Sequence, residues 1–209
     1  MNKDLKDKAE HALSSYTFPR ADRESITGQG ECFGATAWKE GAEGLEPKQA
    51  RLVQALNQAL SESLSAADHS FTWNSIQVNK DSVAARHADS GTHGTTAICL
   101  FGQFQGGAFN LADGTSLKDT GQVLLFPAGQ EHNSEEFNGQ RFSVVFFSRP
   151  WGAGAEDDKY YLTSLGFRLA KPPPGQRTVR VLYALLSGPG SGTRQGIGFL
   201  IRRSVSTLR

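Results

Sequence analysis

Cysteine is almost missing from this chain of 209 residues, which carries only Cys32 and Cys99. Two thiols are too few for a disulfide framework. Cys99 sits in an apolar strand pattern and is expected to be a buried, unreactive thiol. No apolar run approaches the roughly 20 residues that a membrane-spanning helix needs. Residues 1–13 mix Lys, Asp and Glu in place of the apolar stretch of a secretion signal. These absences lead to the expectation of a reducing, intracellular setting, cytoplasmic or nuclear, with no membrane partner. No internal repeat is found, which sets repeat architectures aside.

What is present is ordinary for a folded protein: 38% of residues are hydrophobic and 21% charged. A chain of this length buries a sizeable core without staples. The 23 glycines imply many tight turns and hence a β-rich fold. The formal charge of +1 hides an asymmetry, because eight basic residues and no acidic one follow from Arg168 onward. The first 167 residues therefore carry about −7. The basic stretch is either a solvated extension or a surface for nucleic acid or an acidic partner.

Three segments are expected. Residues 1–30 form an N-terminal extension with a short helical stretch from Lys3 to Ser15. Residues 31–170 form the main domain, and 171–209 a basic tail containing Pro and Gly. Within the domain, Glu46-Pro47 opens a helix over 47–66, with Leu52, Val53, Leu56, Leu60 and Leu64 as its apolar face. From Phe71 the period changes to two. Strands are expected over 71–78, 82–87, 96–101, 108–111, 122–126 and 142–148, punctuated by glycines. This spacing of short strands points to an antiparallel sandwich or barrel with flanking helices.

Candidate chemistry gathers on few residues. His87 and Asp89 lie two apart at the end of an expected strand, so both face one side. His132, after the strand at 122–126 and the turn at 127–129, is the best third member of a two-histidine, one-carboxylate face. Such a face leaves open positions on a ferrous ion. Arg141 and Ser143 again lie two apart, with apolar neighbours facing away. A buried arginine beside a hydroxyl makes a receptor for a carboxylate, since the guanidinium forks onto both oxygens. Taken singly, each histidine also reads as a surface or hydrogen-bonded residue, and Arg141 as an edge ion pair.

Taken together, His-x-Asp, a His 43 positions after the Asp, and Arg-x-Ser nine positions further resemble the Fe(II)/2-oxoglutarate-dependent dioxygenases. The connecting segments add to the resemblance. Gly102-Gln-Phe-Gln-Gly-Gly-Ala-Phe-Asn110 is similar to a turn and strand of prolyl-hydroxylase-like members. Gly121-Gln-Val-Leu-Leu-Phe-Pro127 is similar to the strand that delivers their distal histidine. Cys32-Phe-Gly-Ala-Thr36 and Ser75-Ile-Gln-Val-Asn79 resemble stretches of protist members near the TET/JBP nucleic-acid oxygenases. The likeness runs from about Gly30 to Ser148.

The resemblance implies a mainly β fold with flanking helices around a double-stranded β-helix (a jelly roll, cupin-like), over about 71–148. It implies Fe(II) on His87, Asp89 and His132, which are thereby the catalytic residues. It implies 2-oxoglutarate as co-substrate, its distal carboxylate on Arg141 and Ser143 with help from Asn79, and O2 as oxidant. The implied activity is hydroxylation of a C–H bond, with 2-oxoglutarate converted to succinate and carbon dioxide. Gln77 and His93 are the candidate substrate contacts. His93 lies in a Gly-rich loop, where simple exposure is the alternative.

Competing readings are a cupin-type dioxygenase without 2-oxoglutarate, which prefers a His-x-His pair and a further Glu not found near His87, and a non-catalytic jelly-roll binding module. For the substrate, the TET/JBP likeness suggests a nucleobase flipped into the pocket. An acidic body opposes that, since phosphate binding wants a basic surface, which only the tail offers. The prolyl-hydroxylase-like turn favours a protein side chain or a small molecule.

Overall fold

In the computed structural model the chain opens with a capped helix, α1 (Lys3–Ser14), whose N-cap Asn2 accepts the Leu5 N–H through its side chain at 2.9 Å. Residues 1–20, 28–35, 45–149 and 156–170 are described. Thr36 and the basic tail, 171–209, lie outside the described residues. Strand β1 follows at Gln29–Gly34, and then α2 at Pro47–Ser63. The start of α2 is the one its sequence announces: Pro47 occupies the first turn, and Glu46 and Gln49 cap each other's backbone reciprocally. Its expected end at residue 66 falls short, because Leu64 turns extended. The Ser63 hydroxyl instead donates to the Ala59 carbonyl, and Ser65 bonds Asp68 across a short helical turn.

Eight strands complete with β2 (Ser75–Lys80), β3 (Thr95–Gly106), β4 (Phe109–Leu111), β5 (Ser116–Leu117), β6 (Val123–Pro127), β7 (His132–Ser134) and β8 (Phe137–Phe147). They form a five-stranded antiparallel sheet, in the order β1-β2-β8-β3-β6, and a three-stranded sheet, β5-β4-β7. The architecture is thus mainly β with a few helices. The two faces of the large sheet bury different things. Ile76, Val78, Ala97, Cys99, Phe101, Phe142, Val144 and Phe146 pack with Ala9 and Leu13 of α1 and the apolar stripe of α2 in the larger core. Ile98 and Leu100 turn the other way and meet Phe109, Leu111, Leu117 and Phe126 in the smaller core. Cys99 is fully buried, and burial pushes its thiol up to about 12. None of the helices among the described residues is long and apolar enough to cross a membrane.

Three departures from the sequence pattern matter. The strand expected from Phe71 starts only at Ser75, because Trp73 pairs with Arg168 instead of with the sheet. Residues 82–87 are not a ladder strand. Asp81 takes a positive φ of 51° while its carboxylate accepts the Arg141 N–H at 2.9 Å, and this turns the chain out of the sheet. Finally, α3 (Glu156–Ser164) forms where no helical pattern is readable. Tyr160, Tyr161 and Leu162 are adjacent and define no helical face; the segment is anchored by Leu162, Leu165 and Phe167, which are buried.

Asn57 ties these pieces together from the buried side of α2. Its Oδ1 accepts the Trp73 indole N–H at 2.7 Å and its Nδ2 donates to the Leu165 carbonyl at 2.9 Å. Asn57→Ala leaves both partners unsatisfied in the core and is expected to cost about 2–4 kcal/mol. Urea unfolding monitored by tryptophan fluorescence measures it; a loss below about 0.5 kcal/mol would contradict this role.

Candidate metal centre

The segment that leaves β2 at Asp81 returns along the small sheet and touches β7 twice. Ala84 N–H donates to Ser134 Oγ, and the Ser134 N–H donates to the Ala84 carbonyl. One turn of contact further, His87 and His132 exchange both backbone hydrogen bonds, at 2.9 and 2.8 Å. This isolated antiparallel bridge stands two imidazoles side by side, with ring centroids 4.4 Å apart. The Asp89 carboxylate completes the group, its oxygens 3.9 Å from His87 Nε2 and 4.0 Å from His132 Nε2. One donor atom from each of the three lies within 4.8 Å of the others.

The rings are oriented by their far nitrogens. His87 Nδ1 lies 2.8 Å from the Ala85 carbonyl, and His132 Nδ1 the same distance from the Gln130 carbonyl. A carbonyl only accepts, so Nδ1 carries the hydrogen in both rings and each Nε2 presents a lone pair to the shared point. His132 is buried against Phe109 and Phe126, with centroids at 5.1 and 5.8 Å. Asp89 is the open member, its side chain 42% exposed. Two imidazoles pre-oriented by backbone acceptors, with one carboxylate, make a donor set suited to a divalent transition metal with further positions free.

The same cavity, of about 170 Å³, is lined by Arg141. Arg141 sits mid-strand in β8 on the inward alternation with Ser143, Val145 and Phe147, and is only 2% exposed. Its Nε donates to the Gly107 carbonyl at 2.9 Å, its Nη1 to the Ser82 carbonyl at 3.4 Å, and its Nη2 has no partner. The Phe104 and Phe137 rings flank it at 5.8 and 5.6 Å. Among the described residues no carboxylate reaches it within ion-pair distance. Burial pulls the guanidinium down to about 10, still charged at neutral pH. Gly107, with φ of 68°, makes room: a Cβ there would stand 3.0 Å from Arg141 Cδ.

Ser143 is buried beside it and accepts from Asn79 Nδ2 at 3.3 Å, while Gln77 Nε2 donates to Asn79 Oδ1 at 3.2 Å. The strand register explains this chain of contacts, since Asn79 faces Ser143 across β2 and β8. Seven of the eight candidate residues, Gln77, Asn79, His87, Asp89, His132, Arg141 and Ser143, therefore line one cavity. His93 does not; it lines a separate hollow with Asp68, Ser70 and Thr95. The cavity also takes in Cys32, Thr92 and Arg149, which sequence reasoning did not assign to it. Arg149 was signalled in principle, since it continues the alternation of β8.

The chain matches no protein-family model and no curated protein. It is similar in structure to a Pseudomonas putida prolyl-4-hydroxylase (17% identity, 70% of this chain and 84% of the other, TM-score 0.42). An oxidoreductase of the 2OG-Fe(II) oxygenase family from Burkholderia pseudomallei is similar at 16% identity, over 68% of this chain and 74% of the other, TM-score 0.42. OsALKBH1 is similar at 13% identity, over 69% and 92%, TM-score 0.42. The chemistry of the site is argued from its own side chains.

Metal binding is testable without any substrate. Titration with Co(II) followed by visible absorption is expected to show one site per chain. His132→Ala and Asp89→Ala should each weaken it about tenfold or more, whereas His93→Ala should leave it unchanged. Equal binding by all four proteins would remove His132 and Asp89 from the site.

Proposed function

We propose that the chain is an Fe(II)- and 2-oxoglutarate-dependent dioxygenase that hydroxylates a C–H bond of a small-molecule or protein substrate, and that its two sheets are the halves of a double-stranded β-helix. The observation that carries this reading is Arg141. A buried guanidinium with no counterion among the described residues, and with a terminal nitrogen unpartnered by them, opens on the same cavity as a His-Asp-His donor set. A protein does not hold an unpaired charge in its interior without cost. An anion that comes and goes as a ligand balances it, and a cavity that pairs such a receptor with three metal donors suits a co-substrate that is at once carboxylate and metal chelator.

In this reading His87, Asp89 and His132 hold Fe(II). Arg141 and Ser143 take the distal carboxylate of 2-oxoglutarate, which fits both the orphaned Nη2 and the hydroxyl hydrogen that Ser143 retains while accepting from Asn79. With O2, the loaded centre supplies oxidising power: 2-oxoglutarate loses carbon dioxide and becomes succinate, one oxygen atom entering succinate and the other the substrate C–H bond. The chain's own work is positional. The Ala85 and Gln130 carbonyls hold both rings by Nδ1 and aim both Nε2 atoms inward. Asn79 orients the Ser143 hydroxyl toward the cavity. Ile98, Phe109, Val145 and Phe147 wall the cavity with apolar surface, which thins the water around the reacting groups. Among the lining residues no Glu and no third His is present, so the His-x-His pair and further Glu of the cupin-type alternative have no counterpart here.

Many oxidations of this kind turn over slowly without the primary substrate, so succinate release from 2-oxoglutarate is the direct assay. It is expected to require Fe(II) and to vanish in Asp89→Ala. Arg141→Met is expected to raise the 2-oxoglutarate concentration needed by about thirty- to a hundredfold, the loss of one buried charge-assisted clamp worth about 2–3 kcal/mol. An unchanged requirement in Arg141→Met would defeat the assignment of the co-substrate. Absence of both succinate and metal-dependent 2-oxoglutarate binding would favour a non-catalytic binding module.

A further inference from the structure

The cavity contains a second cation that the co-substrate reading leaves without a task. Arg149 lies two residues past the end of β8 and continues its inward alternation, after Ser143, Val145 and Phe147, into the cavity lining. Its backbone is held on both sides by one buried side chain. Asn74 Nδ2 donates to the Arg149 carbonyl at 2.9 Å, and the Arg149 N–H donates to Asn74 Oδ1 at 3.2 Å. The guanidinium stands over the Phe147 ring, 5.9 Å from its centroid, and Nη2 donates to the Ser90 carbonyl at 3.3 Å. Among the described residues no carboxylate pairs with it.

The loop that it bonds carries an unsatisfied group. Thr92, two residues after Ser90, also lines the cavity, and its Oγ1 is shielded from solvent with no hydrogen-bond partner among the described residues. An exposed cation at the cavity mouth with no carboxylate beside it, and a shielded hydroxyl without a partner on the same cavity, describe a receptor for anionic oxygen. It is distinct from the Arg141 receptor. Eight residues of extended chain separate the two arginines, on the order of 25 Å between their Cα atoms at ~3.3 Å per residue.

Charge points the same way. Asp89, Arg141 and Arg149 are the charged residues of the lining. A divalent ion and a dicarboxylate cancel each other, so the loaded cavity keeps one net positive charge, and a further anion neutralises it. We propose that Arg149 and Thr92 form the substrate-recognition end of the cavity, and that the primary substrate presents a carboxylate or phosphate group near the carbon that is oxidised. This rests on the reading of the site as an iron and 2-oxoglutarate centre. Arg149 is a specificity-determining residue here, and Asn74 positions it.

The test uses the full chain labelled with 15N, following the Arg149 Nε–H and Thr92 amide signals. Hippurate, phenyl phosphate and the uncharged hippuramide are titrated, first without metal and then with Zn(II) and 2-oxoglutarate bound. One or both anions are expected to shift these signals and to bind about tenfold or more tightly than hippuramide, the effect of one charge-assisted contact. The stronger of the two identifies the anion as carboxylate or phosphate. Arg149→Met should abolish the preference, and Thr92→Val should reduce it while keeping the side chain's shape. Equal binding of hippurate, phenyl phosphate and hippuramide overturns the proposal, as does a preference that survives Arg149→Met. Loss of 2-oxoglutarate affinity in Arg149→Met also overturns it, by assigning Arg149 to the co-substrate. A chain that binds neither Zn(II) nor 2-oxoglutarate but keeps the Arg149-dependent preference retains the anion site and removes the iron reading alone.

Discussion

The interior of this protein is organised around one uncompensated charge. The Arg141 guanidinium is buried in the middle of β8, with two backbone carbonyls and two aromatic rings as its neighbours and no carboxylate within ion-pair reach among the described residues. Removing a cation from water costs several kcal/mol unless something repays it, and carbonyl dipoles repay part. What remains is an affinity for anions built into the fold. The surroundings accommodate the side chain at some expense: Gly107 gives up its own side chain so that the arginine stem can pass, in a backbone conformation that L residues rarely adopt.

That charge is tolerable because β8 serves two layers at once. Its outward residues, Phe142, Val144 and Phe146, lock into the helix-covered core, so the strand is held whatever its inner face carries. Central placement between β2 and β3 satisfies its backbone on both sides. The inner face combines polar groups, Arg141, Ser143 and Arg149, with apolar Val145 and Phe147, which wall the cavity. Helices α1 and α2 contribute to the site only indirectly, by securing the sheet from behind.

The metal donors depend on a different device. His87 and Asp89 lie on a segment with little regular structure, and what locates it is the paired backbone exchange between His87 and His132, together with the Ala84–Ser134 contacts. Side-chain aim is then fixed by two carbonyls, each two residues before its histidine. One part of the site is carried by the sheets and the other by a loop, so that the 82–94 segment supplies His87, Asp89 and Thr92 while His132 comes from β7.

Much of this was legible in the residues alone. The period-two patterns located β3, β4, β6 and β8 to within a few residues, except where a strand ran longer than its apolar stretch, as at Phe137–Gly139. Glu46-Pro47 marked the start of α2, because proline suits a first helical position by its own backbone geometry. The pairing of Arg141 with Ser143 on one face followed from alternation, which a strand imposes wherever it lies. Other features had no local trace. Residues 82–87 alternate like a strand, yet one residue of positive φ at Asp81 carries them off the sheet, and His87 reaches Asp89 and His132 through a single bridge. Asn57 reads as a polar interruption of a helix face until Trp73 and Leu165 arrive from distant segments to use it. The separation of His93 from the cavity, and the arrival there of Thr92 and Arg149, depend on how a glycine-bounded loop lies across the sheet. Sequence determined α2, the longer strands and the faces of their side chains, since these follow from backbone period and local hydrogen bonds. Which faces meet around one cavity was decided by tertiary structure alone, because burial and long-range pairing act between residues that carry no mark of one another.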